Sequence, residues 1–302
     1  MNRPLLQGAA GDGLQPGLAE LVALAADVRL RARHRPLRSP LPGQRASRLA
    51  GRGMDHADSR PYVAGDEARH VDWRVTARSG QLYSKRFHAE RERLCLLLMD
   101  VQPGQFFGTR VRLKSVQAAR GLAAAAWWAQ QQGDRLAVLD NAGSPPLLAG
   151  GGQAAVMRVL QALVQGYAQA PAADGQPPLA SLLEQAARLC RGGTVVLATD
   201  AQRAAAVPRQ VWQACCRHLQ LHLLVLVDAL EIDPPPRRLS LAGTDGVQQL
   251  DFSRAAVRAR WQAHTVEPLQ ALQALQVVGM QVHCLMTDAA ADSWLPPAGG
   301  GR

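Results

Sequence analysis

Five short apolar runs recur along the C-terminal two thirds of the chain, and longer amphipathic stretches separate them. The runs have the length and the uninterrupted apolar character of buried strands, at residues 94–99, 136–139, 194–198, 219–227 and 279–286. The stretches between them carry apolar residues at helical spacing, which predicts helices near 112–132, 154–169, 179–191, 207–218 and 253–276. Strands that alternate with helices indicate an α/β fold with a doubly wound, mostly parallel sheet.

The first third of the chain has a different pattern. Residues 18–33 predict an N-terminal helix, which ends before the prolines of 36–43. The following stretch mixes glycine, charged residues and short apolar pairs, which indicates loops and short strands. The pattern therefore predicts four regions: an N-terminal helix and linker (1–43), an irregular short-strand segment (44–93), the α/β domain (94–289) and a disordered tail (290–302).

An aspartate follows each predicted strand. These residues are Asp100, Asp140, Asp200, Asp228 and Asp288. Ligands of open α/β sheets bind at the carboxyl ends of the strands, so the aspartates predict an acidic rim that could hold a ligand. The alternative is that each aspartate caps the helix that follows it, which is the commoner role for a single residue.

The composition is that of a globular protein, and positive charge is concentrated in one part of the chain. The formal net charge is +10, and a net of +9 falls between Arg29 and Arg93, where 16 residues are basic and 7 acidic. That segment could bind an acidic protein, an anionic lipid or nucleic acid, or could simply be solvated. The five cysteines form no CxxC pair, and no apolar run reaches the ~18 residues of a membrane span, so we expect a cytoplasmic protein with reduced thiols.

The familiar catalytic motifs are absent from the sequence. It contains no GxGxxG, Walker lysine, GxSxG or HExxH pattern, and the eight histidines do not pair at metal-ligand spacing. The sequence therefore gives no support to a dinucleotide site, a phosphate loop, a nucleophile elbow or a zinc protease site.

The most specific pattern lies just before the first predicted strand. It reads R-P-Y-V-A-G-D-E-A-R-H-V-D-W-R-V-T-A-R over 60–78 and continues with a lysine and a glutamate. Its defining members are Arg60, Tyr62, Gly65, Asp66, Arg69, Asp72, Trp73, Arg78, Lys85 and Glu90. This signature resembles the hallmark of the domain-of-unknown-function family numbered 58. The resemblance implies a von Willebrand factor A-like domain that works beside a MoxR-type AAA+ ATPase, and it implies no catalytic activity.

The charged members of the signature allow two interpretations. Residues such as Asp66, Arg69 and Asp72 alternate in sign around Trp73 and could form a salt-bridged network that braces the segment. The alternative is a docking face for the ATPase. We expect bracing, because tryptophan and paired charges most often pack.

The same resemblance implies a Mg²⁺ site at the acidic rim, in a degenerate form. Von Willebrand factor A domains bind the ion through Asp-x-Ser-x-Ser, with a threonine and an aspartate from later loops. Asp100 matches the first position, but Gln102 and Gly104 stand where the serines would be. Thr199 and Asp200 match the later ligands. Two carboxylates without those hydroxyls make a weak site, so we expect no confident cofactor, and Mg²⁺ is disfavoured.

These observations together predict a non-enzymatic binding or adaptor protein that works with a MoxR-type ATPase in the maturation or assembly of client proteins. One alternative is a metal-dependent hydrolase that uses the rim carboxylates. The other is nucleic-acid binding by the arginine-rich segment, which we consider unlikely because that segment has few aromatic residues for base stacking.

Overall fold

The computed structural model describes residues 11–33, 56–63, 70–87, 93–169, 177–243 and 246–295. The chain divides into two compact units, a larger one of residues 1–35 and 93–300 and a smaller one of 36–92. The helices in the described ranges are α1 (Leu18–Arg33), α2 (Trp73–Ser79), α3 (Lys114–Gln131), α4 (Gly152–Gly166), α5 (Leu179–Leu189), α6 (Ala201–Ala205), α7 (Arg209–Cys216), α8 (Ala229–Ile232) and α9 (Ala255–Ala274). The strands are β1 (His56–Pro61), β2 (Tyr83–Phe87), β3 (Leu94–Met99), β4 (Arg135–Asp140), β5 (Leu147–Gly150), β6 (Thr194–Asp200), β7 (Gln220–Val227), β8 (Arg238–Gly243), β9 (Gly246–Asp251) and β10 (Met280–Met286).

A six-stranded sheet forms the centre of the larger unit, in the order β10-β7-β6-β3-β4-β5. All neighbouring pairs are parallel except β4 and β5, which run antiparallel. The predicted fold class, a doubly wound and mostly parallel sheet, is confirmed. The sequence analysis did not predict β5, because a four-residue edge strand is too short to show a clear apolar pattern.

Residues of each central strand alternate between two hydrophobic cores, one on each face of the sheet. On β3, Cys95, Leu97 and Met99 join one core, and Leu96 and Leu98 join the other. Strands β6 and β7 alternate in the same way. Because both faces are covered, these strands read as unbroken apolar runs rather than as alternating ones.

Helices α1, α3 and α4 cover one face of the sheet, and residues of α5, α7 and α9 cover the other. Helix α3 approaches the sheet closely at Gly121, where an added Cβ would lie 2.9 Å from Leu285 Cδ2. The prediction that residues 1–43 form a separate region is wrong for α1. Its residues Leu21, Leu24 and Val28 are buried in the same core as α3.

The predicted disordered tail also needs correction, for residues 290–295. Ala291, Trp294 and Leu295 are buried in the core on the α1 side of the sheet. Arg31 of α1 forms an ion pair with Asp292 and donates to the Leu295 carbonyl at 3.4 Å. The glycines and prolines that suggested disorder lie mostly beyond this anchored stretch, and 296–302 are outside the described residues.

The smaller unit contains an antiparallel pair, β1 and β2, and the short helix α2. Its two short strands agree with the short-strand segment that the sequence predicted, but the sequence analysis did not predict α2. Across both units, no described helix is long and apolar enough to cross a membrane.

Candidate functional site at the rim of the sheet

The strand order reverses direction between β3 and β6. The chain proceeds from β3 toward β4 on one side and from β6 toward β7 on the other, so the loops after these two strands separate. Such a switch point opens a crevice at the carboxyl ends of the strands, where α/β proteins bind their ligands. Asp100 follows β3, and Thr199 and Asp200 end β6. The fold therefore brings the predicted rim residues to the place where a ligand is expected.

Four donors surround the Asp100 carboxylate, which is fully buried. The Thr199 hydroxyl donates to Oδ2 at 2.5 Å, and the Asn141 side-chain amide donates to Oδ1 at 2.9 Å. The Arg203 guanidinium forms a forked pair, with Nε 2.9 Å from Oδ2 and Nη2 2.8 Å from Oδ1. Each oxygen of Asp100 thus accepts one charged and one neutral hydrogen bond.

Arg203 reaches Asp100 because of how α6 begins. The Asp200 side chain caps α6 by accepting from the Arg203 backbone N–H at 2.8 Å. That cap places residue 203 in the first helical turn, beside the end of β6. Nη2 of Arg203 also donates to the Pro177 carbonyl at 2.9 Å, and the side chain is only 22% exposed. The guanidinium is therefore fixed in position by three acceptor atoms.

Burial raises the pKa of the Asp100 carboxyl above its usual value. The hydrogen bonds and charge of Arg203, together with the Thr199 hydroxyl, offset part of that rise. A carboxylate without solvent depends on a nearby cation to remain charged. Arg203 is the cation in this position.

The other predicted ligands, Gln102 and Asp200, contact each other. The Gln102 side-chain amide donates to Asp200 Oδ2, and its Oε1 accepts from the Gly104 backbone at 3.0 Å. A Cβ added at Gly104 would lie 3.0 Å from Gln102 Oε1 and 3.4 Å from Asp200 Oδ2. A serine at position 104 would therefore bring its hydroxyl into this group, and glycine leaves it without that oxygen.

These residues do not fit a Mg²⁺ ion as they stand. Magnesium takes near-octahedral oxygen ligands at 2.0–2.1 Å, and the Asp100 oxygens already accept four hydrogen bonds. A divalent cation ~4 Å from the guanidinium would meet a repulsion of about 8 kcal/mol at an intermediate dielectric. Within the described ranges, no three His, Cys, Asp or Glu side chains are grouped so that they could hold a metal.

Asp228, at the end of β7, is a second buried carboxylate, and its hydrogen-bond donors among the described residues are all neutral. Its Oδ1 accepts from the Thr109 hydroxyl at 2.5 Å and from the Leu230 N–H at 3.0 Å. Its Oδ2 accepts from the Thr287 hydroxyl at 2.9 Å and from the Thr109 N–H at 3.1 Å. Burial alone would raise the pKa of Asp228, but these hydrogen bonds outweigh burial and lower it.

The structure describes six of the ten signature residues. The four outside the described residues are Gly65, Asp66, Arg69 and Glu90. Arg60 lies in β1, Tyr62 follows it and bonds through its N–H to the Leu82 carbonyl at 2.8 Å, and Lys85 lies in β2. Arg78 is in the last turn of α2.

Asp72 has a clear structural role as the N-cap of α2. Its Oδ1 accepts from the N–H groups of Arg74 and Val75 at 3.2 Å, and its Oδ2 accepts from the Ser59 hydroxyl at 2.6 Å. It ties β1 to the start of α2. Trp73 itself is 68% exposed and is not packed in the described part of the chain. The charge network expected around it stays a prediction, because Asp66 and Arg69 lie outside the described residues. The first turn of α2 presents this residue outward, while its neighbour Asp72 is buried.

Sequence reasoning missed several members of the rim. Arg203 and Asn141 hold Asp100, and Thr109 and Thr287 hold Asp228. One signal was available for Arg203: an aspartate that caps a helix places the residue three positions later beside the cap. The threonine contacts join positions more than 50 residues apart, so local pattern could not reveal them.

Comparisons with known proteins agree with the signature. The family model described as "Protein of unknown function DUF58" matches residues 58–269. Three uncharacterized proteins, one from Mycobacterium bovis and two from Mycobacterium tuberculosis, are 32% identical over 99 residues. That stretch covers 33% of this chain and 31% of each relative, so the match spans less than a third of those relatives' length.

Among solved structures, a von Willebrand factor type A protein from Catenulispora acidiphila is similar to part of the chain. The alignment covers 47% of this chain and 34% of that chain, at 16% identity and a TM-score of 0.32. A similarity at this level says nothing about function.

Proposed function

This chain belongs to the DUF58 family, and from that premise we propose that it is a non-enzymatic adaptor that binds protein partners without a metal ion. The observation that carries the proposal is the saturated carboxylate of Asp100. Its two oxygens accept four hydrogen bonds from within the chain. A carboxylate in that state has no lone pair free to activate water or to complete a metal shell.

The proposed partner is a MoxR-type AAA+ ATPase, and the proposed process is the maturation or assembly of client proteins. This part of the proposal is supported by the signature that begins at Arg60. The exposed Trp73 within that signature supports it as well, because aromatic residues are enriched at protein interfaces and a large exposed one is a natural contact.

Co-purification tests the partner. The chain and a MoxR-type AAA+ ATPase from the same organism would be expressed together, and the complex would be captured through a tag on the chain, with and without chelator. We expect capture to be equal in both conditions and to fall about tenfold in Trp73→Ala. A matched control is Leu82→Ala, which trims another exposed apolar residue of the same unit. Loss of capture in chelator would contradict the metal-independent proposal.

Metal titration tests the alternative, a metal-dependent hydrolase. Wild-type protein titrated with Mn²⁺ should show no binding tighter than about 1 mM by calorimetry, because Arg203 competes for Asp100. The triple variant Gln102→Ser, Gly104→Ser and Arg203→Ala removes the guanidinium and restores the two serines of the metal-binding pattern, and it should bind Mn²⁺ more tightly than wild type. Tight binding by the wild type would favour the hydrolase.

A further inference from the structure

A groove of about 430 Å³ lies between the loop after β3 and the hairpin of β8 and β9. Phe106, Phe107 and Arg110 line one wall, and consecutive residues of β8, including Ser240 and Leu241, line the other. This volume is within the range of sites that bind ligands. Gly108 allows the loop wall to turn sharply, because a Cβ there would lie 2.4 Å from the Arg112 carbonyl oxygen.

The β8 edge of the hairpin is available for a further strand. Strands β8 and β9 form a two-stranded antiparallel sheet, in which Ser240 pairs with Gln249. The Phe252 N–H donates to the Arg237 carbonyl at 3.0 Å, which marks that pair as hydrogen-bonded. Hydrogen-bonded and non-bonded pairs alternate in antiparallel sheets, so the N–H and C=O of Arg238, Ser240 and Ala242 face away from β9.

These outward groups lie along the groove. Ser240 and Ala242 line it, together with Leu239 and Leu241. In the part of the chain that the structure describes, no hydrogen bond joins the outward backbone groups to an element beyond the hairpin. Four strand residues extend about 13 Å, which matches a short extended peptide.

The charged residues that line the groove favour an extended partner with acidic side chains. Arg110 and Arg237 are exposed at its lining, and Asp233 is the acidic side chain there. Among the described residues neither arginine has an ion-pair partner, whereas Arg238, just outside the groove, pairs with Asp251. The apolar lining and the two arginines complement a strand that alternates aliphatic and acidic residues. They disfavour a second copy of this chain, whose own β8 edge would bring Arg237 and Arg238 toward these arginines.

We propose that this groove binds an extended acidic and aliphatic segment of a partner protein, which adds as a strand to the edge of β8. The inference rests on the proposed protein-binding function and names the surface that performs it. The backbone of β8 supplies affinity, the aromatic wall receives the aliphatic side chains, and Arg110 and Arg237 pair with the carboxylates. Exposed strand edges pair readily with other chains, and the positive charge here restricts which chains can do so.

A peptide titration tests the proposal. The probe is a fluorescein-labelled ten-residue peptide of alternating valine and glutamate, and fluorescence anisotropy measures its binding to the full chain. We expect Ser240→Pro to weaken binding about tenfold, because proline removes one outward N–H without breaking the bonds to β9. Gln249→Pro is the matched control, because it removes an outward N–H from the opposite edge of the same hairpin, and it should leave binding unchanged.

A second pair of measurements covers the case in which Ser240→Pro does not fold. The double variant Arg110→Glu with Arg237→Glu leaves the backbone intact and should also weaken binding about tenfold. The same peptide methylated on alternate backbone nitrogens, added to wild-type protein, should bind as weakly. No binding of the unmodified peptide to wild type, or equal binding by all variants and peptides, overturns the proposal.

Co-purification with the ATPase separates this inference from the proposed function. If the ATPase is captured but the peptide does not bind, the groove assignment fails and the adaptor function stands. If the peptide binds as expected but no ATPase is captured, the groove assignment stands and the proposed partner is wrong.

Discussion

Asp100 and Asp228 are buried at the same rim of the sheet, and the protein stabilises their charges by different means. Asp100 receives a forked pair from the Arg203 guanidinium. Asp228 receives four hydrogen bonds, all from neutral hydroxyl and backbone donors. Burial dominates the pKa of Asp100, which is raised, whereas hydrogen bonds dominate that of Asp228, which is lowered.

The two arrangements should respond differently when one partner of the carboxylate is removed. A buried ion pair depends on one residue, because removal of either partner leaves an uncompensated charge. A carboxylate held by several neutral dipoles shares its stabilisation among them, so removal of one costs less. The Asp100 cluster should therefore fail at a single point, and the Asp228 cluster should weaken gradually.

The largest effect should come from Arg203→Met. Methionine fills part of the same volume but leaves Asp100 charged and buried, so we expect the free energy of unfolding to fall by about 3–5 kcal/mol in urea titrations. Adding Asp100→Asn to that variant removes the stranded charge and should restore about 2 kcal/mol. Additive losses in the double variant would show that the two residues act independently, and Asp100 would then not depend on Arg203 in the way that distinguishes it from Asp228.

Acidification should reveal the titration of a third buried group, His222 on β7. Burial and the neighbouring His283, 3.2 Å away, lower the pKa of His222 to about 4. The unfolded chain binds this proton near pH 6.5, so stability is complete above that value and falls as pH decreases toward 4. We expect a loss of about 2–3 kcal/mol across this window.

His222→Gln tests the histidine by removing its titration. The dependence of stability on pH between 6.5 and 4 should become shallower, and His218→Gln, at an exposed position, should leave it unchanged. A slope that His222→Gln does not alter would assign the acid sensitivity to other groups, and His283, whose pKa is also lowered by burial, would then be the first candidate.

Sequence pattern predicted the sheet well because its central strands are buried on both faces. Runs such as 94–99 and 194–198 have few alternatives to a buried parallel strand; the first has the bounds of β3, and the second ends two residues before β6 does. The edge strand β5 escaped prediction because it is short, and the burial of Trp294 escaped it because that burial depends on contacts with distant parts of the chain. A tryptophan within a glycine- and proline-rich tail was the available signal for the second.

The candidate site was predicted in part, for a related reason. Strand ends locate Asp100, Thr199 and Asp200, since parallel strands place their carboxyl ends at one rim. Which side chains contact these residues depends on how long side chains extend from neighbouring loops and helices, and the sequence pattern does not show that. Arg203 binds the carboxylate that the resemblance assigns to an ion, and the strand pattern alone does not show that contact.

A smaller effect should follow from Asp228→Asn. The amide replaces one acceptor oxygen with an N–H that faces existing donors, so we expect a loss of about 2 kcal/mol at pH 7. The lowered pKa of Asp228 contributes stability above the pKa of the unfolded chain, near 4, and this contribution disappears as pH falls through the folded value. The gap between variant and wild type should therefore close below about pH 4. A gap that does not narrow as the pH falls below about 4 would mean that Asp228 acts through packing rather than charge.

The finest test compares two threonines that donate to the two carboxylates. Thr287→Val removes one of four neutral donors to Asp228, and Thr199→Val removes a donor to Asp100 while Arg203 remains. A hydrogen bond to a charged group contributes about 1.5–3 kcal/mol, and the charge on Arg203 should shield Asp100 from much of the loss. We therefore expect Thr287→Val to cost about 1 kcal/mol more than Thr199→Val in parallel urea titrations. If the two variants lose the same free energy of unfolding, the guanidinium does not shield Asp100 from the loss of a neutral donor. The two carboxylates would then differ only in the effect of removing Arg203.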